Sequence, residues 1–458
     1  MKFYGRENQR RSLKRFFANE SQLAALIYGR RRVGKSELIK QSLRETDVSS
    51  IYYECKQTTE MNNVESLALL VSEKYGYPRL SFSGMEEILE FLFKQAEKEK
   101  LIVVLDEYSY VRDTVKGMDS ILQVLIDKYK DTSRLKLIIC GSFVDTMKSL
   151  LLVQNPLYGR VDLTIDLKPM DYYESALFYQ GFSNDDKVRL YSVFGGIPYY
   201  NRLVDPGLTV KENIIELIAS PGARLETEVS MYLKSEIGKI VNANEVFDAL
   251  SRGFSRFSDI LSQSHVSSAP TLADVLEKLM KMELVRKEAP INDENNRRKS
   301  GYYINDNLSL FYFRYVFRYS SQMNVMEPEL FYERYIKQDF EEKYVPHIFE
   351  EVCKQYLIRQ NRLGRMAEPF EKIGKYYYDN PKEKTNGEFD IVTLDSKGYI
   401  FYEAKFKNEP VNQKMVEYEM HQVNDSPLSC YQYGFFSKSG FTPEVKNVTA
   451  ITLEDLYQ

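Results

Sequence analysis

The chain has 458 residues, more than one typical core buries, so two to four domains are expected. Its 43% hydrophobic and 28% charged content is that of a globular chain, with no internal repeat or low-complexity tract. A net charge of -4 provides no global attraction for nucleic acid, so any such binding has to come from local basic patches.

Cys55, Cys140, Cys353 and Cys430 have no paired spacing, which argues against a disulfide framework or a zinc site and fits a reducing compartment. The start, "MKFYGRENQRRSL", is charged and lacks an apolar signal core. No apolar run approaches the ~20 residues of a membrane helix. A cytoplasmic location without a membrane partner is therefore expected.

Residues 1–170 alternate strand-like runs ("LAALIYG", "SIYYE", "LIVVLDE", "LKLIICG", "VDLTIDL") with amphipathic helical segments. That alternation predicts an α/β unit with a parallel sheet. After the first run comes "GRRRVGKS", which has the P-loop spacing G-x-x-x-x-G-K-[ST] and leads into a helical "ELIKQSL". Gly29, Arg30, Arg31, Arg32, Val33, Gly34, Lys35 and Ser36, with Glu37 next, are the expected ATP cradle. Backbone N–H groups curl around a phosphate at a helix N-terminus, where the dipole also favours an anion. Lys35 is expected to neutralise the β and γ phosphates, and Ser36 to ligate magnesium.

The wholly apolar "LIVVL" ends in Asp106 and Glu107. Asp106 is placed to hold the magnesium through water, and Glu107 to polarise the attacking water. Ser142, just past "LKLIICG", reads either as a contact to the γ-phosphate or the water, or as a simple turn serine. Arg160 reads either as an arginine finger reaching a neighbouring subunit's nucleotide, which would require a homo-oligomer, or as a surface salt bridge.

From 170 to about 340 the pattern is mostly helical. Within it three helices, the third starting near Thr271, precede a polar hairpin around "NNRRKSGYYI". This order predicts a winged helix-turn-helix. For DNA binding, Thr271, Lys278 and Lys281 would face a groove and Arg297, Arg298 and Lys299 the phosphates. Asp274 and Glu277 put negative charge on the same helix and favour a packing or protein-contact role instead.

Near the C-terminus, "EFDIVTLDSKGYIFYEAKF" predicts a β-hairpin. A turn centred between Ser396 and Lys397 sets Asp390 opposite Glu403 and Glu388 opposite Lys405, all on one face. Opposed carboxylates repel unless a cation or a shared proton relieves them, so the hairpin is a candidate metal site. The alternative is a solvent-facing edge of salt bridges, Glu388 to Lys405 among them.

Six motifs occur in order: "FYGRENQ", "GRRRVGKS", "VVLDEY", "CGS", "PLYGR" and "GGIPYY". Together they resemble the archaeal-type ATPases of the AAA-related STAND group. That resemblance implies an α/β multidomain chain. It comprises a P-loop AAA-type core (1–170), a helical lid (171–238), a winged helix (239–306), a helical linker (307–340) and a restriction-endonuclease-like domain (341–458). It implies Tyr4, Gly5 and Arg6 as contacts to adenine, with Gln9 where a second acid is common, and sets Gly196 and Pro198 near the nucleotide.

The hairpin resembles PD-(D/E)xK nucleases, with Phe389 where the motif has proline. The resemblance makes Asp390 and Glu403 ligands of magnesium or manganese and Lys405 the group that orients or deprotonates water. It adds Glu350, or else Glu351, as a further acid. The expected function is ATP hydrolysis coupled to DNA, with a metal-dependent nuclease-like domain. The alternative is an ATP-driven switch whose last domain only recognises a DNA or protein partner.

Overall fold

The computed structural model describes residues 2–458 apart from 22, 238–239, 297 and 381–384. Arg297, expected at a phosphate, lies outside the described residues. The chain forms two compact units, Met1–Pro169 with Ile197–Tyr199, and Met170–Gly196 with Tyr200–Gln458.

In the first unit, β1 (Ala24–Tyr28), β2 (Ser49–Glu54), β3 (Leu101–Asp106), β4 (Leu135–Gly141) and β5 (Leu163–Asp166) make a sheet in the order β2-β3-β4-β1-β5. Every pairing is parallel. Strands β1, β3 and β4 are buried along their whole length, as parallel strands covered on both faces must be, and so carry no polar alternation. The edge strand β2 does alternate. Ile51 and Tyr53 are buried, while Tyr52 between them is half-exposed. Because the strands run one way, β1 and β3 end on the same edge, and their C-terminal residues meet there.

In the second unit, helices Ala243–Ser251, Phe257–Gln263 and Ala269–Lys281 precede an antiparallel pair, β6 (Val285–Glu288) and β7 (Gly301–Ile304). The third helix starts before Thr271. Ser268 is its N-cap, accepting from the Thr271 N–H at 3.3 Å, so Thr271 lies inside the first helical turn. Between Asn307 and Tyr344 the helical chain includes three short π-helical stretches, Tyr312–Phe317, Tyr332–Ile336 and Phe340–Tyr344.

Helix Val345–Arg362 then leads to a mixed sheet of β8 (Phe370–Asn380), β9 (Thr385–Asp395), β10 (Gly398–Lys405), β11 (Cys430–Ser437) and β12 (Thr449–Thr452). Its order is β12-β11-β10-β9-β8, antiparallel from β8 to β10 and parallel beyond. Helix Gln413–Asn424 connects β10 to β11. Phe389, Val392, Phe401, Val423 and Leu428 form one of its cores. The loop between β6 and β7 lies against the outer edge of β8. Ile291 N–H donates to the Lys375 carbonyl at 2.8 Å, and the Asn292 amide bonds both backbone groups of Tyr377. The loop thus satisfies an edge that would otherwise be open to pairing. Among the described residues no helix is long and apolar enough to cross a membrane.

Candidate functional site

The loop after β1 turns sharply enough to need left-handed backbone at Arg32 (φ 66) and Gly34 (φ 97). Gly29 has φ 155, and a Cβ there would meet the Leu167 carbonyl oxygen at 2.3 Å, so only glycine fits. Helix Lys35–Arg44 starts from Gly34. The buried Lys35 ammonium folds back, donating to the carbonyls of Gly29 (2.9 Å) and Arg30 (3.1 Å) and to Ser142 Oγ (2.9 Å). Burial lowers its pKa below the usual lysine value, which favours replacing those neutral partners with an anion.

Ser36 Oγ donates to Asp106 Oδ2 at 2.7 Å. The same oxygen accepts from the Tyr52 hydroxyl, and the Glu107 N–H donates to Oδ1 at 3.0 Å. Burial alone would raise the Asp106 pKa, but these donors outweigh it, so the group is held below the usual carboxylate range and stays ionised. A hydroxyl and an ionised carboxylate side by side are the hard oxygen donors that magnesium takes.

Glu107 has φ 52, a left-handed conformation unusual for a non-glycine residue. Its Oε1 accepts from Ser142 Oγ at 2.7 Å and its Oε2 from the Ser142 N–H at 3.3 Å. Ser142 therefore joins Lys35 to Glu107 by hydrogen bonds. Around the loop, Arg6 (φ 62) is buried and donates to the Val33 carbonyl at 3.3 Å. The Arg31 guanidinium lies over Phe143 and that of Arg32 over Tyr199. Pro198 Cγ is 3.8 Å from where a Gly34 Cβ would stand. Glu37 is half-buried in the first helical turn, Gly5 has φ 64, and Tyr4 lies under the Lys2 ammonium. Gly196 belongs to the other unit, pressed on the Met170 backbone.

Arg160 is not free to reach outward. Its guanidinium makes a two-pronged ion pair with Asp127, at 2.9 and 2.8 Å, and also bonds the carbonyls of Pro156 and Tyr158. The guanidinium is thus paired within its own unit.

In the C-terminal sheet, β9 and β10 pair with Asp395 opposite Gly398 and Ile391 opposite Tyr402. Continuing that register sets Asp390 at Glu403 and Glu388 at Lys405. The charges are partnered otherwise than expected. Lys375 of β8 bridges Glu388 at 2.9 Å and Asp390 at 2.8 Å, so Glu388 pairs with Lys375 and not with Lys405. Lys405 sits between Glu403 and Glu419, each at 2.7 Å. Burial pushes the Glu403 carboxyl up to about 7 against the pull of Lys405.

Glu350 is paired with His347 at 3.3 Å, and Glu351 faces Arg286 at 3.7 Å. Among the described residues no group of three or more His, Cys, Asp and Glu is gathered to hold a metal ion. The expected ligand set Glu350, Asp390 and Glu403 is thus not assembled as such, and nothing in its donors favours manganese over magnesium. In the three-helix module, Lys278 and Lys281 are neutralised by Asp274 (2.7 Å) and Glu277 (2.8 Å). Arg298 is exposed, and Lys299 lies over the Tyr377 ring.

Four partners escaped sequence reasoning: Tyr52, Asp127, Lys375 and Glu419. Each lies on a different element from the group it binds, and the only trace of Tyr52 is the outward phase of "SIYYE".

Residues 3–203 match the family model described as an ATPase domain predominantly from Archaea. Residues 312–419 match one described as "Archaea bacterial proteins of unknown function". An uncharacterised protein of Methanocaldococcus jannaschii is 27% identical over 412 residues, covering 89% of this chain and 88% of that one. The Walker-type ATPase of Pyrococcus abyssi shares the fold, with a TM-score of 0.53 at 20% identity, over 68% of this chain and 96% of that one. Residues 3–203 are thus similar to a P-loop ATPase domain of that predominantly archaeal family.

Proposed function

We propose that the chain hydrolyses ATP in its first unit to drive work on DNA by its second. One observation carries the first half: Lys35, Ser36, Asp106, Glu107 and Ser142 form one continuous hydrogen-bonded cluster at the strand ends. Tyr4, Gly5 and Arg6 flank the adenine, and residues Gly29–Glu37 with Pro198 cradle the phosphates. Ser36 and Asp106 would hold the magnesium, which would supply charge neutralisation on the phosphates. Lys35 exchanges its bonds to Gly29 and Arg30 for phosphate oxygens. Glu107 Oε1 accepts a proton from the attacking water, oriented by Ser142. The test is ATP turnover by the parent and by Lys35→Ala. Equal rates would overturn the assignment.

For the second half we assign residues 171–238 as lid, 239–306 as winged helix, 307–340 as linker and 341–458 as a restriction-endonuclease-like domain. Asp390, Glu403 and Glu350 are the carboxylates that would take magnesium, and Lys405 the lysine that acts on water. The shared face of β9 and β10 and the raised Glu403 pKa support this reading. The experiment is cleavage of labelled duplex and single-stranded DNA with magnesium or manganese, with and without ATP. The Asp390→Ala/Glu403→Ala double variant is the control. Cleavage by the parent alone establishes the site. The ion pairs of Lys375 and Lys405 favour a second reading, an ATP-driven switch with a non-catalytic recognition domain. Intact ATP turnover with no cleavage under any condition selects that reading.

A further inference from the structure

Asp106 Oδ2 accepts from two hydroxyls, Ser36 Oγ and Tyr52 Oη, while Oδ1 accepts from the Glu107 N–H. The two hydroxyls differ in what they would do when a cation arrives. Ser36 would ligate magnesium through an oxygen lone pair and keep its O–H on the carboxylate, whereas Tyr52 would donate to Oδ2 without touching the metal.

Tyr52 is placed to act from behind the carboxylate. It lies on β2, whose parallel pairing sets Tyr52 beside Val104 and Glu54 beside Asp106, so its side chain shares a face with the aspartate one pleat further on. Its ring is held from the other side by the Lys40 ammonium, 5.0 Å from the ring centre, on the helix that the P-loop starts. The phenol thus ties the edge strand to both the P-loop helix and the carboxylate.

We propose that Tyr52 is a positioning residue of the magnesium site, donating to Asp106 Oδ2 from outside the coordination shell so that the carboxylate keeps its aim toward the metal. Groups that orient metal-bound carboxylates from outside the coordination shell typically change metal affinity or activity ~10–100-fold when removed. Tyr52→Phe deletes the hydroxyl alone and keeps the ring under Lys40.

The inference rests on the reading of the first unit as a magnesium–ATP site. The full chain is titrated with magnesium in the presence of a fluorescent, non-hydrolysable ATP analogue, following bound analogue at equilibrium rather than turnover. Its metal-free affinity for the analogue and its melting temperature are measured alongside. The expected result for Tyr52→Phe is a half-saturating magnesium concentration raised about 10-fold or more, with metal-free affinity and melting temperature unchanged. In an Asp106→Asn background the further Tyr52→Phe change is expected to add nothing, because the phenol acts only through that carboxylate. A magnesium midpoint equal to the parent's overturns the proposal. So does an equal loss of metal-free analogue binding, which would make Tyr52 a general support of the loop. A parent chain that binds no analogue with or without magnesium removes the ATP-site reading itself, a result distinct from either.

Discussion

Glu107 occupies left-handed backbone that costs a non-glycine residue roughly 1–3 kcal/mol, and two bonds from Ser142 hold its carboxylate. Glu107→Gln keeps the size and one acceptor for Ser142, but its amide nitrogen cannot accept the second Ser142 bond and the group cannot take a proton. ATP binding is therefore expected to persist while turnover falls about 10²–10⁴-fold, as measured by equilibrium binding and phosphate release. Arg160 leads to the opposite expectation. A finger would be worth about 10³–10⁵ in rate, whereas an exposed pair is worth about 0–1 kcal/mol of stability. With its guanidinium committed to Asp127, Arg160→Ala is expected to change turnover less than about 10-fold at any protein concentration.

Glu403 makes a pH-dependent contribution whose sign follows from burial. Its carboxyl titrates near 7 when folded and near the ordinary 4.5 when unfolded. Between those values the folded chain binds the extra proton, so rising pH lowers stability across that window and not outside it. Urea unfolding of the second unit is expected to show this decline in the parent and its absence in Glu403→Gln.

At the scale of elements, helix Ala269–Lys281 depends on the Ser268 cap, and Ser268→Ala is expected to cost about 1 kcal/mol in denaturant unfolding. The same helix is a poor electrostatic partner for phosphate, because Lys278 and Lys281 already hold Asp274 and Glu277. If the module meets DNA, the contact falls to the hairpin, where Arg298 is exposed. Arg298→Ala is expected to weaken binding evenly across sequences and to reduce the salt slope by about 1, while the Lys278→Ala/Lys281→Ala pair leaves the slope unchanged. Fluorescence anisotropy over a range of salt concentrations distinguishes the two. The three-helix and hairpin order was legible from apolar spacing and turn residues. The ion pairs that neutralise its lysines follow from helical (i, i+4) geometry, and the acids were visible at that spacing.

For the whole molecule, the parallel sheet and the C-terminal mixed sheet lie in separate units with separate apolar cores. Nucleotide bound by the first unit stabilises that unit by mass action, about 2.7 kcal/mol at 100 times Kd. Calorimetry is expected to resolve two transitions, with a magnesium–ATP analogue raising the one that Lys35→Ala abolishes from the response. A parallel shift of both transitions would signal energetic coupling between the units, the property a nucleotide-gated second unit requires.

By itself, the sequence determined the features that depend on neighbours in the chain. These are the five strands of the parallel sheet, the glycine-bearing phosphate loop, the acids at the end of β3, and the register of the β9–β10 hairpin. Each is encoded by apolar periodicity, by backbone conformations that favour glycine, or by a short turn that admits one pairing. Only the tertiary structure decided which charges face which. The order β2-β3-β4-β1-β5 brings Tyr52 to Asp106, the pairing of β8 with β9 brings Lys375 to Asp390, and helix Gln413–Asn424 brings Glu419 to Lys405. These partners are separated by 14 to 54 positions along the chain. No local rule links residues so far apart; burial of the apolar faces brings the elements together, and the polar groups then pair with whatever that packing sets beside them.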